Sequence, residues 1–358
     1  MAFLEFKNVR IAGIAAGVPK QVASNLHPSE LDNVSKDYTP EDFVAATGVE
    51  ERRVSSTLCA SDLGVPAAER LISDLGWDKS EILAVIFVSQ SADYFLPATS
   101  CIIQDRLGLS KECYATDGTL GCSGWVYGLT QVASLIGAGN IKKALLFVGE
   151  GRKRVEGLRD PLFGSGTAVT ALEYDENSNG LRFHLGTDGS GYDAIIIPDG
   201  GSRNRISLDS FKLEDVDGKP MHRLQTRMKG MDVFSFGITT APKSVKKLAE
   251  YYGFNYLDAD YFVFHQANMK MNNMIVKKLK LDVSKAPSSM RYFGNTNGAS
   301  IPITIVTELR NESRKEKTYI CCGFGVGLSW GTVEFKTDAD FIISDLVEVE
   351  EISETTWV

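Results

Sequence analysis

Short runs of β-branched and aromatic residues alternate along the chain with longer stretches of helical period, and that alternation predicts an α/β protein. Buried strands are expected at Ala84–Val88, Ala144–Val148, Ala168–Leu172, Tyr261–Phe264, Tyr319–Cys322 and Gly331–Phe335. From Trp125 onward, Val126, Leu129, Val132, Ala133, Leu135 and Ile136 make a segment apolar nearly all round. This predicts a helix buried on every side, ended by Gly137, Gly139 and Asn140. Further helical patterns start at His265, running to about Lys280, and at Ile303, running to Arg310.

The order of elements repeats. Ile82–Ser91 is followed by the Thr119–Trp125 segment, the strand Ala144–Gly151 and a Gly164-Ser165-Gly166-Thr167 turn into Ala168–Tyr174. Tyr261–Asn268 is followed by a helix, then Tyr319–Gly323 and a Gly325-Val326-Gly327 turn into Leu328–Phe335. Both series close on strand, glycine turn, strand. An internal duplication is expected, with its boundary in the polar stretch Glu173–Gly180: one half over 1–176 and another over 177–335. Residues 336–358 form an acidic extension with Asp338, Asp340, Asp345, Glu348, Glu350, Glu351 and Glu354 after a single lysine, Lys336. Its apolar runs predict a strand or a docked helix, with fraying beyond Glu350 and no chemistry.

A chain of 358 residues suffices for two domains or one large layered body. Its net charge of −8 disfavours nucleic-acid binding as a main role, although local basic patches remain open. The N-terminal apolar run soon meets Pro19 and predicts neither a signal peptide nor a spanning helix, so a cytoplasmic protein with no membrane partner is expected. Six cysteines without CxxC spacing, two of them adjacent, argue for reduced thiols rather than disulfides or a metal knuckle.

Against this background Cys122 stands out, because it opens the buried helix. Free N–H groups and the positive end of the helix dipole would favour its thiolate; a small buried structural cysteine has the same surroundings. Such a nucleophile needs a proton-handling partner and oxyanion donors. Of the four histidines, His27 and His222 fall in polar surface segments and His184 in an alternating strand. His265 instead directly follows an apolar strand and precedes a helix, where α/β folds collect ligands. Arg291–Ser300 is rich in turn residues, and Gly323–Leu328 offers exposed backbone N–H groups.

Taken in order, Gly121-Cys122-Ser123-Gly124, His265-Gln266-Ala267-Asn268, Gly294-Asn295-Thr296 and Gly325-Val326-Gly327-Leu328-Ser329-Trp330-Gly331 resemble the 3-oxoacyl-acyl-carrier-protein synthase III family of thiolase-like condensing enzymes. Thr47–Arg53 and Thr187–Ser190 extend the resemblance, which spans Val9 to Phe335. It implies a five-layered αβαβα fold of two duplicated halves, a homodimer, and no permanently bound cofactor or metal. The implied substrates are acyl and malonyl thioesters of coenzyme A or acyl carrier protein. Cys122 would carry the acyl group, His265 and Asn295 would polarise the malonyl thioester, and the backbone N–H groups of Cys122 and Val326 would hold the oxyanion. Asn297 reads as a turn residue. Leu96 matches the position where the partner subunit closes the acyl pocket, and leucine leaves room for a longer or branched primer. Arg159, Asn268 and Lys270 lie at implied substrate-binding positions. Where relatives carry a tryptophan and an arginine that grip coenzyme A, this chain has Asp42 and Ala46, which offer neither a stacking ring nor a phosphate partner. Lys243, Lys246 and Lys247 on one helix, and Lys277, Lys278 and Lys280 on another, are candidates for docking an acidic carrier protein. The rival readings are an acyltransferase to oxygen or nitrogen and a non-catalytic partner subunit of a ketosynthase.

Overall fold

The computed structural model describes residues 2–27, 39–151 and 160–352. Two sheets stack with helices between them and on both outer faces. In one sheet, β2 (Val9–Pro19), β3 (Ile82–Val88), β4 (Tyr114–Gly118), β5 (Lys143–Glu150) and β6 (Gly166–Tyr174) take the order β2-β6-β5-β3-β4. Two short strands from the acidic extension, β11 (Ile342–Ile343) and β12 (Val347–Val349), pair in parallel with the outer edge of β2. The other sheet has the order β1-β7-β10-β9-β8, built from β1 (Ala2–Phe6), β7 (Leu181–Thr187), β8 (Tyr261–Phe264), β9 (Thr318–Gly325) and β10 (Ser329–Lys336). Each sheet thus receives a strand from the far end of the chain.

Residues decide the layers. β3 reads ILAVIFV, almost wholly buried, as expected of a strand flanked by the parallel neighbours β4 and β5 and covered on both faces. Helix α3 (Gly124–Ala138) touches strands of both sheets, which explains why it is apolar around its circumference. With α6 (Ser300–Glu308) it fills the central layer, where Trp125, Leu129, Ile303, Ile305, Val263 and Phe335 share one core. Helices α1 (Ala60–Leu75) and α2 (Thr99–Arg106) cover the first sheet from outside; α4 (Gly230–Tyr252) and α5 (Met269–Leu279) cover the second. The result is αβαβα. Every strand predicted from the sequence is present, most of them longer by one to three residues at an end. No helix among the described residues is long and apolar enough to cross a membrane.

Candidate active site

Cys122 lies in the loop between the end of β4 and the first turn of α3, 7% exposed. The loop is tight, since the Gly124 N–H donates to the Gly121 carbonyl at 2.7 Å. Facing it is the turn between β9 and β10. A Cβ on Gly325 would lie 2.8 Å from the Cys122 sulfur, so only glycine lets the turn approach that sulfur this closely. The turn is tied to the loop that carries Cys122: Ser123 Oγ and Ser329 Oγ are 2.7 Å apart, and Ser329 Oγ donates to the Val326 carbonyl at 2.8 Å.

Burial pushes the Cys122 thiol up to about 12, and the Glu150 carboxylate pushes the same way, against hydrogen bonds from the backbone N–H groups of Val326 and Cys122. The helix start was expected to favour the thiolate. In the closed pocket desolvation outweighs those donors, so the resting group is a thiol. The two N–H groups that do reach the sulfur are the expected oxyanion donors.

His265 follows β8 and is 2% exposed; its N–H donates to the Cys322 carbonyl at 2.9 Å. Its Nδ1 is 2.7 Å from Ser300 Oγ, and its ring meets the Phe324 ring edge-on at 5.6 Å. Burial lowers its pKa to about 3, offset in part by a hydrogen bond to the Asn297 backbone. The imidazole is therefore neutral at physiological pH, able to donate a hydrogen bond without carrying charge. Asn295 is 5% exposed and stitched in by backbone bonds to Leu162 and Gly164 at 2.9 and 3.1 Å. Its Oδ1 accepts the Asn297 N–H at 2.9 Å, which leaves the side-chain NH2 as the group available to a substrate.

Asn297 was read as a turn residue, and its φ of 49° is indeed that of a turn. It also touches all three catalytic candidates: its Oδ1 is 3.9 Å from the Cys122 sulfur, its N–H reaches Asn295, and its backbone bonds His265. Cys122, His265 and Asn295 are thus brought together around one residue the sequence reading passed over. Ser300 and Glu150 were missed as well. The signal for Asn297 was the doubled Asn-Thr-Asn before glycine; for Ser300 and Glu150 no local pattern exists.

The remaining candidates are dispersed. Leu96 is 87% exposed, in the loop from β3 to α2. Asn268 caps α5, its Oδ1 accepting the Met271 N–H at 2.8 Å, and Lys270 is exposed in the first turn of that helix. Arg159 lies outside the described residues. Asp42 is committed to a capping box with Thr39 at the start of helix Pro40–Thr47, its carboxylate accepting the Thr39 hydroxyl at 2.8 Å. Lys243, Lys246, Lys247 and Lys278 converge on one pocket of about 510 Å³ between α4 and α5, while Lys277 on α5 and Lys280, its C-cap, are exposed nearby. None of the six cysteines is joined in a disulfide, and among the described residues no group of side chains is arranged to hold a metal.

The fold is that of a thiolase-like condensing enzyme. Residues 116–189 match the family model of 3-oxoacyl-[acyl-carrier-protein (ACP)] synthase III, and residues 250–337 match that of its C-terminal part. The beta-ketoacyl-[acyl-carrier-protein] synthase III of Clostridium acetobutylicum is 30% identical over 335 residues, covering 92% of this chain and 98% of that protein. The chain belongs to the 3-oxoacyl-[acyl-carrier-protein] synthase III family. The 3-oxoacyl-(acyl-carrier protein) synthase of Burkholderia xenovorans LB400 is 33% identical with a TM-score of 0.88, covering 97% of this chain and 99% of that one. The priming β-ketosynthase of the R1128 polyketide pathway, at 22% identity and a TM-score of 0.77 over 95% of this chain and 99% of that one, shares the fold.

Proposed function

We propose that this enzyme performs the decarboxylative condensation of a Cys122-bound acyl primer with a malonyl thioester, in fatty-acid or related acyl-chain biosynthesis. The observation that carries the reading is the pairing of a buried, neutral His265 with an Asn295 whose oxygen is already occupied, beside a buried thiol. The Cys122 sulfur attacks the primer's thioester carbonyl, its proton passes to the departing carrier sulfur, and the N–H groups of Cys122 and Val326 hold the oxyanion. Malonyl thioester then loses CO2. His265 and Asn295 donate hydrogen bonds to the thioester oxygen as enolate charge develops, and the new carbanion attacks the acyl-Cys122 carbonyl. The carbon–carbon bond forms as the Cys122 sulfur leaves and regains a proton. A cationic histidine is not needed, and a carboxylate in place of Asn295 would repel the enolate.

Transfer of the acyl group to oxygen or nitrogen gains little from an enolate-stabilising pair, so Asn295 favours condensation. A non-catalytic partner subunit has no use for an acylated cysteine. The primer's grip differs from that of coenzyme A-binding relatives, since Asp42 serves a helix cap. Lys243, Lys246, Lys247 and Lys277 fit an acidic acyl carrier protein better, with the exposed Lys270 placed to meet its pantetheine arm. The exposed Leu96 fits closure of a roomy pocket by a second copy in a cytoplasmic homodimer.

Incubation with acyl-coenzyme A and acyl-carrier thioesters of graded length, then intact mass and product analysis with malonyl-carrier, tests the reading. Loading of longer or branched primers on Cys122 followed by 3-oxoacyl product is expected. Loading without condensation would move the assignment to acyl transfer, and activity retained in a cell carrying Cys122→Ala would support the scaffold role.

A further inference from the structure

Asn297 sits where a left-handed backbone, a side-chain contact and two backbone hydrogen bonds meet. With φ at 49° it occupies a region that asparagine and glycine tolerate and branched residues do not. That conformation turns the N–H onto Asn295 Oδ1 at 2.9 Å while the side chain reaches back to the Cys122 sulfur, its Oδ1 at 3.9 Å. A carboxamide oxygen is an acceptor only, so in this contact the sulfur must be the donor.

We propose that Asn297 is a positioning residue of the site: its side-chain oxygen accepts the Cys122 S–H and holds the nucleophile as an oriented thiol, while its backbone fixes Asn295 and His265 around it. The inference rests on Cys122 being the reactive thiol, and it assigns a specific hydrogen bond to the resting state. The groups that face that sulfur are few. The Val326 and Cys122 N–H groups favour the thiolate; the Glu150 carboxylate disfavours it; His265, neutral, is bonded to the Asn297 backbone. Asn297 adds a neutral acceptor to this set, and an acceptor stabilises the protonated form.

The test separates side chain from backbone. Asn297→Gly keeps the left-handed turn and both backbone bonds but deletes the acceptor; Asn297→Asp keeps the shape and adds charge. The readout is the pH profile of Cys122 alkylation by iodoacetamide, followed by intact mass, with Cys122→Ala as the blank. The glycine variant should react faster at a given pH below the thiol's pKa, by about threefold for half a unit of displacement, and the aspartate variant slower. A residue that only shaped the turn would leave the glycine profile where it is. Coincidence of the glycine variant with the parent, or displacement of both variants in the same direction, overturns the proposal; should the aspartate variant not fold, the glycine variant decides alone. Alkylation requires no acyl chemistry. Failure of acyl loading would therefore sink the proposed condensation without touching this result, and the reverse also holds.

Discussion

His265 and Gly325 show how single residues set the chemistry. Burial lowers the His265 pKa to about 3, so the ring is already neutral at pH 5 and changes little up to pH 8. The decarboxylation rate of malonyl thioester should therefore lack an acid limb near 6.5, where an ordinary histidine would titrate. A limb there would show that the ring is charged in the working enzyme. Stability follows the same sign. The folded pKa lies below the unfolded value near 6.5, so the unfolded chain binds the proton first and stability falls as pH drops from 6.5 toward 3. Gly325 acts by absence: a methyl would meet the Cys122 sulfur at 2.8 Å and Cβ at 2.7 Å. Gly325→Ala should fold and yet load acyl groups at least about tenfold more slowly, because displacing the turn moves the Val326 N–H from the developing oxyanion. Undiminished loading, measured by intact mass over time, would place the turn elsewhere in the reaction. Pattern singles out Cys122 and His265 as candidates because each stands at the junction of two strongly patterned elements, and the family resemblance supplies their expected roles. Asn297 was not legible in the sequence, since its importance lies in a backbone angle and in contacts across 175 residues.

At the level of elements, α4 and α5 illustrate what periodicity conveys and what it omits. The basic faces were readable, but the lysines' partners were not. Pro242 lies inside α4 and has no N–H to offer the carbonyl four residues back, that of Ile238. Lys278 of α5 fills the vacancy, its Nζ donating to the Ile238 carbonyl at 2.9 Å. Lys278 is therefore in part a clamp between the helices, and reversing its charge would confound a docking experiment. Lys278→Met should cost about 0.5–1.5 kcal/mol. In a Pro242→Ala background, where the new amide takes that carbonyl, the same substitution should cost measurably less. Denaturant titrations of the four proteins in this cycle decide it, and equal costs in both backgrounds would refute the clamp. Carrier docking is better probed by charge reversal at the exposed Lys243 and Lys246, which should slow a carrier-bound donor but not a small thioester. The strand β2 was also illegible, for a related reason. Its run of glycine and alanine lacks the β-branched alternation of a strand, because α1 packs so closely that a Cβ on Gly17 would fall 2.0 Å from the Leu63 carbonyl oxygen.

For the molecule as a whole, the acidic extension decides how the chain closes. The apolar runs of residues 336–358 predict a strand or a docked helix, and the structure pairs Ile342–Ile343 and Val347–Val349 as strands with β2. Phe341 and Ile343 are fully buried in the central core between the sheets, with the Phe341 and Tyr319 rings 6.3 Å apart. The tail's carboxylates meet arginines of the body: Asp338 with Arg10 at 2.6 Å, Asp345 with Arg70 and Arg310 at 2.7 and 2.9 Å, and Glu348 with Arg53 at 2.6 Å. These pairs are at least partly exposed on the acidic side and contribute modestly, under about 1 kcal/mol each. The buried side chains weigh more. Two of this size stabilise by about 3–6 kcal/mol together, a large part of what holds a protein of this kind folded. A chain ending at Lys336 should therefore unfold at far lower urea than the full chain, or fail to accumulate, whereas Asp345→Asn should shift the midpoint only slightly. If the order were reversed, with truncation tolerated and Asp345→Asn damaging, the tail would be held by charge rather than by its place in the core. Because β2 belongs to the same sheet as β4, which leads into the Cys122 loop, but lies at the opposite end of the β2-β6-β5-β3-β4 order, the truncated enzyme that does fold should lose acyl loading in step with its loss of stability rather than ahead of it.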